Sequence, residues 1–382
     1  MSHRTPNPPL TATELRARFD AAAAYTVGIE DEVLVLDPDT HELAPRASEV
    51  LDRMGEDPRF KLELPAAQLE IVTAPTATVP EAAAALLDAR RELLARTGDL
   101  AAFAGAGWHP TSPGRGALNE VPRYARVIDD YRPVIDRQLV CALQVHVSVP
   151  GAERALAVYN AARAYMPWVA ALAANAPFYE GHDSGLASVR PKVGELLPRQ
   201  GIPPAFESWE DYAGAMAWGA STGAFPDVSS WWYEVRLHHG FGTVELRVPD
   251  SQRTVGDAAA IAAVAQSLLA WLGERHDRGE LEPPAPTWRI EQNRWWACRD
   301  GVEGKTADLD TGALRPTREC LHELLDRLDP VATRLGAAGG LACARELVEC
   351  NGTLAQRRVA AHAGIPAVPG WLASQFIEPW PR

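Results

Sequence analysis

The sequence predicts an α+β protein, with an antiparallel sheet assembled from separated segments and a mostly helical C-terminal portion packed on it. Four stretches alternate apolar and polar residues at period two. Long Ala/Leu-rich stretches with charged faces lie between and after them, and Gly and Pro clusters mark the boundaries. With 382 residues and 47% hydrophobic content the chain can bury a large core, in one elaborated domain or in two or three modest ones.

Taken in order, residues 1–24 read as a polar, proline-rich tail and a short helix over 13–23. A strand follows over 25–36, closed by Asp37-Pro38-Asp39. Residues 61–73 read as a second strand and 80–102 as an amphipathic helix. The Gly/Pro-rich segment 105–116 reads as a loop, and 140–149 as a strand leading into a helix over 153–174 that Pro167 should kink. Strands over 233–237 and 243–248 flank His238-His239-Gly240-Phe241-Gly242 and predict a hairpin. Helices over 257–274, 317–328 and 341–348 complete the chain, with 281–286 as the best linker. The expected organisation is thus a tail at 1–24, a catalytic sheet domain at 25–280, and a helical portion at 281–382 completing the same unit.

A formal net charge of -13 disfavours nucleic acid and anionic membrane as partners, because no segment clusters the Lys and Arg that phosphate contacts need. The five cysteines have no CxxC and no disulfide-like spacing, which suits a reducing cytosol. No signal-length apolar run opens the chain, so the expectation is a cytoplasmic, soluble protein.

The sharpest local signal is Gly28-Ile-Glu30-Asp31-Glu32-Val33. A strand sets Glu30 and Glu32 on one face, about 6 to 7 Å apart, and turns Asp31 the other way. Two desolvated carboxylates repel unless a cation sits between them, and a hard ion such as Mg²⁺ suits oxygen ligands. An edge strand with its acidic face in water fits this motif alone equally well. Gln68 and Glu70 share a face, with Glu63 out of phase beyond Pro65. Gln144, His146 and Ser148 share another, although a lone strand histidine is more often a hydrogen-bonded or exposed residue than a ligand. Glu245 and Arg247 form the fourth same-face pair, ordinary in isolation. Four such coincidences point to one site, a platform for metal-bridged ATP. No P-loop, dinucleotide fingerprint, zinc helix or nucleophile elbow is present. The pair Trp231-Trp232 fits an interface, a pocket wall or core packing.

In order and spacing, Gly28–Glu32, Glu63–Glu70, Leu143–Val147 and Thr243–Arg247 resemble the carboxylate-amine ligases related to type 2 glutamate-cysteine ligases. The resemblance continues through Leu172-Ala-Ala-Asn175, Ser188-Val-Arg190, Glu291-Gln-Asn293 to Arg299, and Gln356-Arg357-Arg358. It implies a glutamine synthetase-like fold whose antiparallel sheet cradles ATP and two or three Mg²⁺ ions, with Mn²⁺ as a substitute. It implies Glu30, Glu32, Glu70, His146 and Glu245 as metal ligands, and Glu30, Arg190 and Arg247 as catalytic groups, the arginines binding phosphate or substrate carboxylate. Gln68, Asn293 and Arg299 are implied contacts to nucleotide or acyl phosphate. The partners it implies are small-molecule acids and amines, glutamate and cysteine among them, with a homodimer as the assembly. The segment after Arg190, Pro-Lys-Val-Gly-Glu195-Leu-Leu-Pro, lacks the family's tryptophan, and the segment around Gln356 is shifted, which leaves the acid and amine open. A phosphagen-kinase-like phosphotransferase and a noncatalytic nucleotide-binding protein are the competing readings, and a metal-dependent hydrolase is disfavoured by the carboxylate-rich ligand set.

Overall fold

A computed structural model describes residues 9–225, 227–378 and 380; the expected polar tail at 1–8 lies outside the described residues. Seven strands form the main sheet: β1 (Val27–Leu36), β2 (Phe60–Leu62), β3 (Gln68–Val72), β4 (Ala102–Ala104), β5 (Leu143–Ser148), β6 (Val235–His238) and β7 (Thr243–Leu246). Their order is β2-β3-β1-β5-β7-β6, with β4 alongside the end of β1, and every pair is antiparallel. The expected β6–β7 hairpin is present, and Asp37 ends β1 as expected, its carboxylate accepting from the Asp39 and Thr40 N–H groups.

Three expectations are corrected. The single strand over 61–73 is two strands, because residues 63–67 leave the sheet at Pro65, which has no N–H for a ladder, before β3 returns antiparallel to β2. The helix over 80–102 ends at Thr97, and Ala102–Ala104 pairs with β1 instead. The kinked helix over 153–174 is two helices, α3 (Ala152–Ala162) and α4 (Met166–Ala173), parted by a 3₁₀ turn; Pro167 sits in the first turn of α4, where its missing N–H is no loss.

The helices that matter for the site are α1 (Ala12–Asp20), α2 (Val79–Thr97), α3, α4, α5 (Val255–Asp277), α6 (Thr287–Asp300), α7 (Thr317–Arg334), α8 (Ala338–Glu349) and α9 (Gly352–Ala363). Period-two alternation puts Ile29, Val33, Leu69, Ile71, Val145 and Val244 on one face of the sheet, in a core shared with α1, α2, α3 and α5. The central α5 starts at Thr254, whose hydroxyl accepts from Asp257 N–H, and is almost wholly buried. It is long and apolar enough to cross a membrane, yet α2, α3, α7 and α8 surround it. Glycine allows a close crossing: a Cβ at Gly340 of α8 would lie 2.4 Å from Ala263 Cβ of α5. Residues 281–286 are irregular and join α5 to α6.

Candidate active site

The other face of the sheet is polar, and strand register decides which groups meet. Gly28, His146, Glu245 and Arg236 stand opposite one another across β1, β5, β7 and β6. Lys61, Glu70 and Glu32 form a second row across β2, β3 and β1, and Glu30 stands opposite Gln144. Beside these rows opens a cavity of about 510 Å³ whose wall includes Glu30, Glu32, Glu63, Glu70, Arg190 and Arg247. The four motif-bearing segments therefore do converge on one face.

Ligand atoms of Glu30, His146 and Glu245 lie within 4.8 Å of one another. His146 Nδ1 is 3.0 Å from Thr243 Oγ1, which leaves Nε2 facing Glu30 Oε1 at 3.5 Å and Glu245 Oε1 at 3.8 Å. That Nε2 is buried and has no hydrogen-bond partner among the described residues. Burial pushes Glu30 up, but the His146 contact and the Arg247 charge outweigh it and bring it to about 2. Burial likewise opposes ionisation of Glu245, and the Arg236 and Arg247 guanidiniums hold it well below the usual carboxylate range. Two carboxylates and an orphaned imidazole nitrogen fit a divalent cation.

The second row carries the opposite signature. Burial raises Glu32 despite the Ala142 N–H and Gln144 amide it accepts from. Burial and then the Glu30 charge bring Glu70 up to about 7, against the pull of Lys61 at 3.3 Å. Glu63 is pushed well up by burial, Glu70 and Glu32. Three crowded carboxylates beside a cavity suit a further cation.

Two arginines have donors to spare. Arg190 is pinned through Nε to Cys141 O and through Nη2 to Arg247 O and Pro249 O, at 2.7 to 3.1 Å, so only Nη1 lacks a partner among the described residues. Arg247 gives Nη1 to Glu245 and Gln144 and keeps Nε and Nη2. Behind Arg190 lies a buried knot. Asp250 accepts from Asn175 N–H and Ser188 hydroxyl and sits 3.6 Å from Arg190 Nε, while Gln356 donates to the Asn175 carbonyl and side-chain oxygens. Gly352 permits this, since a Cβ there would lie 2.1 Å from Asn175 Oδ1.

The structure thus brings Glu30, Glu32, Glu70, His146, Glu245, Arg190 and Arg247 together, and Gln68 lines the cavity with an Nε2 that has no partner among the described residues. It does not bring Asn293 or Arg299 there. Asn293 uses both ends of its amide on the Ala307 backbone, each at 2.8 Å, and Arg299 pairs with Asp300 on a separate surface depression. Glu63, which the alternation puts out of phase, reaches the cavity as well, as do two residues outside the four motifs, Glu234 and Arg236. The alternation Glu234-Val235-Arg236 ahead of the hairpin was the available signal for the last two. Trp231 is core, packed among Phe206, Phe225 and Tyr233, whereas Trp232 lines the cavity.

The polar face of the sheet thus gathers carboxylates and an imidazole that fit a cation, with arginines facing them across one cavity. The family profile for glutamate-cysteine ligase family 2 matches residues 26–367, so the chain belongs to that family, whose members are ATP-dependent ligases that form C–N bonds. A relative from Rubrobacter xylanophilus, provisionally named glutamate–cysteine ligase 2-3, is 39% identical over 368 residues, 94% of this chain and 99% of its own. One from Gloeobacter violaceus, provisionally named glutamate–cysteine ligase 2, is 33% identical over 350 residues, 89% of this chain and 94% of its own. Among solved structures, glutamate–cysteine ligase from Francisella tularensis in complex with AMP has a TM-score of 0.66 at 12% identity, covering 92% of this chain and 89% of that one. A bifunctional glutathione synthetase from Pasteurella multocida has a TM-score of 0.62 at 16% identity, over 96% of this chain and 53% of that one. These likenesses establish a fold shared with those two structures, built on the antiparallel sheet that the sequence resemblance implied.

Proposed function

We propose that the protein uses MgATP to phosphorylate the side-chain carboxylate of an amino acid such as glutamate and joins the product to an amine such as cysteine. The observation that carries this reading is the buried, unpartnered His146 Nε2 between the Glu30 and Glu245 carboxylates, on the face that also carries Arg190 and Arg247. The names of the curated relatives and the AMP held by the Francisella enzyme support the choice of glutamate and of adenine nucleotide.

Bound by Glu30, His146 and Glu245, with Glu32, Glu63 and Glu70 for a further ion, Mg²⁺ would neutralise phosphoryl charge and fix the triphosphate. The free N–H groups of Arg190 and Arg247 hold anionic oxygens, of the phosphoryl group or of the acid, at the centre of the sheet. A carboxylate oxygen of the acid attacks the γ-phosphorus and ADP leaves. The amine nitrogen then attacks the acyl carbon, the C–O bond to phosphate breaks, and the nitrogen sheds a proton to give the amide. Both charged steps run in a walled cavity where fixed donors act at low effective dielectric. We place this activity in the cytoplasm, in keeping with five cysteines that form no disulfide among the described residues.

The test is phosphate release from ATP and Mg²⁺ with amino acids and amines supplied singly and in pairs, followed by mass spectrometry. An amide that needs ATP and both partners is the expected product. A phosphorylated product formed without an amine would replace the ligase reading with a phosphotransferase.

A further inference from the structure

Glu234 and Arg247 stand directly opposite each other where β6 and β7 pair, with Arg247 N–H donating to Glu234 O at 2.8 Å. Opposite residues of an antiparallel pair share a face, and opposite charges there ordinarily pair. These two do not. Glu234 gives Oε1 to Arg294, and Arg247 turns Nη1 to Glu245 and Gln144. What remains is Glu234 Oε2, in a residue only 6% exposed and without a hydrogen-bond partner among the described residues, together with Nε and Nη2 of Arg247, whose side-chain bonds to those residues all run through Nη1. Both residues line the cavity.

A buried carboxylate oxygen without a donor is costly, so a ligand that supplies one gains by it. Arg294 does not meet the need: its Nε serves Glu234 Oε1, its Nη1 serves Glu195 and Glu291, and no bond from it reaches Oε2. Arg294 is thus shared among Glu195, Glu234 and Glu291, so Glu234 holds no cation to itself. An ammonium brings charge and three N–H donors, while the free edge of a guanidinium takes a carboxylate.

We propose that Glu234 and Arg247 form a zwitterion clamp for the head group of the acid substrate, with the α-ammonium on Glu234 Oε2 and the α-carboxylate on Arg247 Nε and Nη2. The inference rests on the ligase reading and deepens it: Glu234 is the specificity residue that separates an α-amino acid from a simple dicarboxylate. The distal carboxyl of the clamped amino acid is then left free for phosphorylation.

The experiment is calorimetric titration of the full chain, with Mg²⁺ and a nonhydrolysable ATP analogue, by L-glutamate and by glutarate, which lacks only the amino group. The wild type should bind L-glutamate about tenfold more tightly than glutarate, the worth of one charge-assisted hydrogen bond. Glu234→Gln keeps the Oε1 acceptor for Arg294 and should erase that ratio by weakening L-glutamate alone. Glu234→Asp should keep a preference for L-glutamate, and it carries the test should the glutamine variant fail to fold. A wild type that binds the two equally, or a Glu234→Gln protein that keeps the preference, overturns the clamp. Amide formation is assayed in parallel, and a wild-type preference for L-glutamate that Glu234→Gln erases, without any ATP-dependent amide, sinks the ligase reading while leaving the clamp standing.

Discussion

Asp31 and Arg90 form an ion pair with neither side chain exposed to solvent, Arg90 Nη2 lying 2.7 Å from Asp31 Oδ2. Asp31 stands between Glu30 and Glu32 in the sequence but points to the opposite face of β1, and the pair ties that strand to α2. Arg90 also donates to Phe376 O and Gln252 O, so one side chain joins the sheet, a covering helix and the C-terminal segment. The floor that carries Glu30 and Glu32 is thereby held from beneath.

Removing half of this pair strands a buried charge. Arg90→Ala should lower the unfolding free energy by about 3 to 5 kcal/mol. Urea unfolding followed by circular dichroism measures it. A loss under about 1 kcal/mol would mean that the carboxylate finds water or another donor once the guanidinium is gone.

The cation centre makes a separate prediction, because Thr243 orients the imidazole through Nδ1. Thr243→Val should weaken Mn²⁺ or Mg²⁺ binding about 10- to 100-fold, as loss of an outer-shell partner does elsewhere. Glu30→Gln or His146→Ala should abolish turnover with the fold intact. Full activity in either variant would remove the metal platform from the mechanism.

Glu70 sets a pH dependence whose sign follows from its direction of shift. Its carboxyl titrates near 4.5 in the unfolded chain and at about 7 in the ion-free fold, raised by burial and Glu30. Between those values the fold holds a proton that the unfolded chain has released, so this contribution to stability is complete below about pH 4.5 and is lost as pH rises to about 7. Glu70→Gln has no such loss and should gain on the wild type across this window by up to about 3 kcal/mol. Thermal melts in chelator at pH 5 and pH 8 test it, and parallel curves for the two proteins would refute it.

What the sequence disclosed follows from what period two can report. Alternation in β1, β3, β5 and β7 identified Glu30, Glu32, Glu70, His146, Glu245 and Arg247 as same-face groups, and antiparallel register then placed them side by side. Alternation fails wherever the chain leaves the sheet. Glu63, out of phase with Glu70 and beyond Pro65, reaches the same cavity from a loop. Asn293 and Arg299 carried no periodic signal and were reached through resemblance alone; on α6 Asn293 turns to the Ala307 backbone and Arg299 to its neighbour Asp300. The long-range partners of Arg190 were illegible for the same reason, since Asn175, Asp250 and Gln356 are joined only by the tertiary fold.

That knot behind Arg190 is where a remote substitution should reach the chemistry. Asn175 Nδ2 donates to Gly105 O and Ser251 O, its N–H donates to Asp250, and its side-chain oxygen accepts from Gln356. Asn175→Ala keeps the backbone bond but leaves two buried carbonyls without this donor and one amide with a single partner. Each group left unsatisfied costs about 1 to 3 kcal/mol, so a total of about 3 to 5 kcal/mol is expected in urea. Asp250 shares the knot and lies against Arg190, so loosening it should also blur the placement of that guanidinium. The kinetic signature is a kcat that falls about tenfold or more in protein that is still folded, since small misplacements of a charge clamp are expensive. Gly352→Ala attacks the same knot by steric contact with Asn175 Oδ1 and should reproduce both effects. A stability loss with unchanged kcat in both variants would show that Arg190 is held by its three backbone carbonyls alone and that the knot serves the fold rather than the reaction.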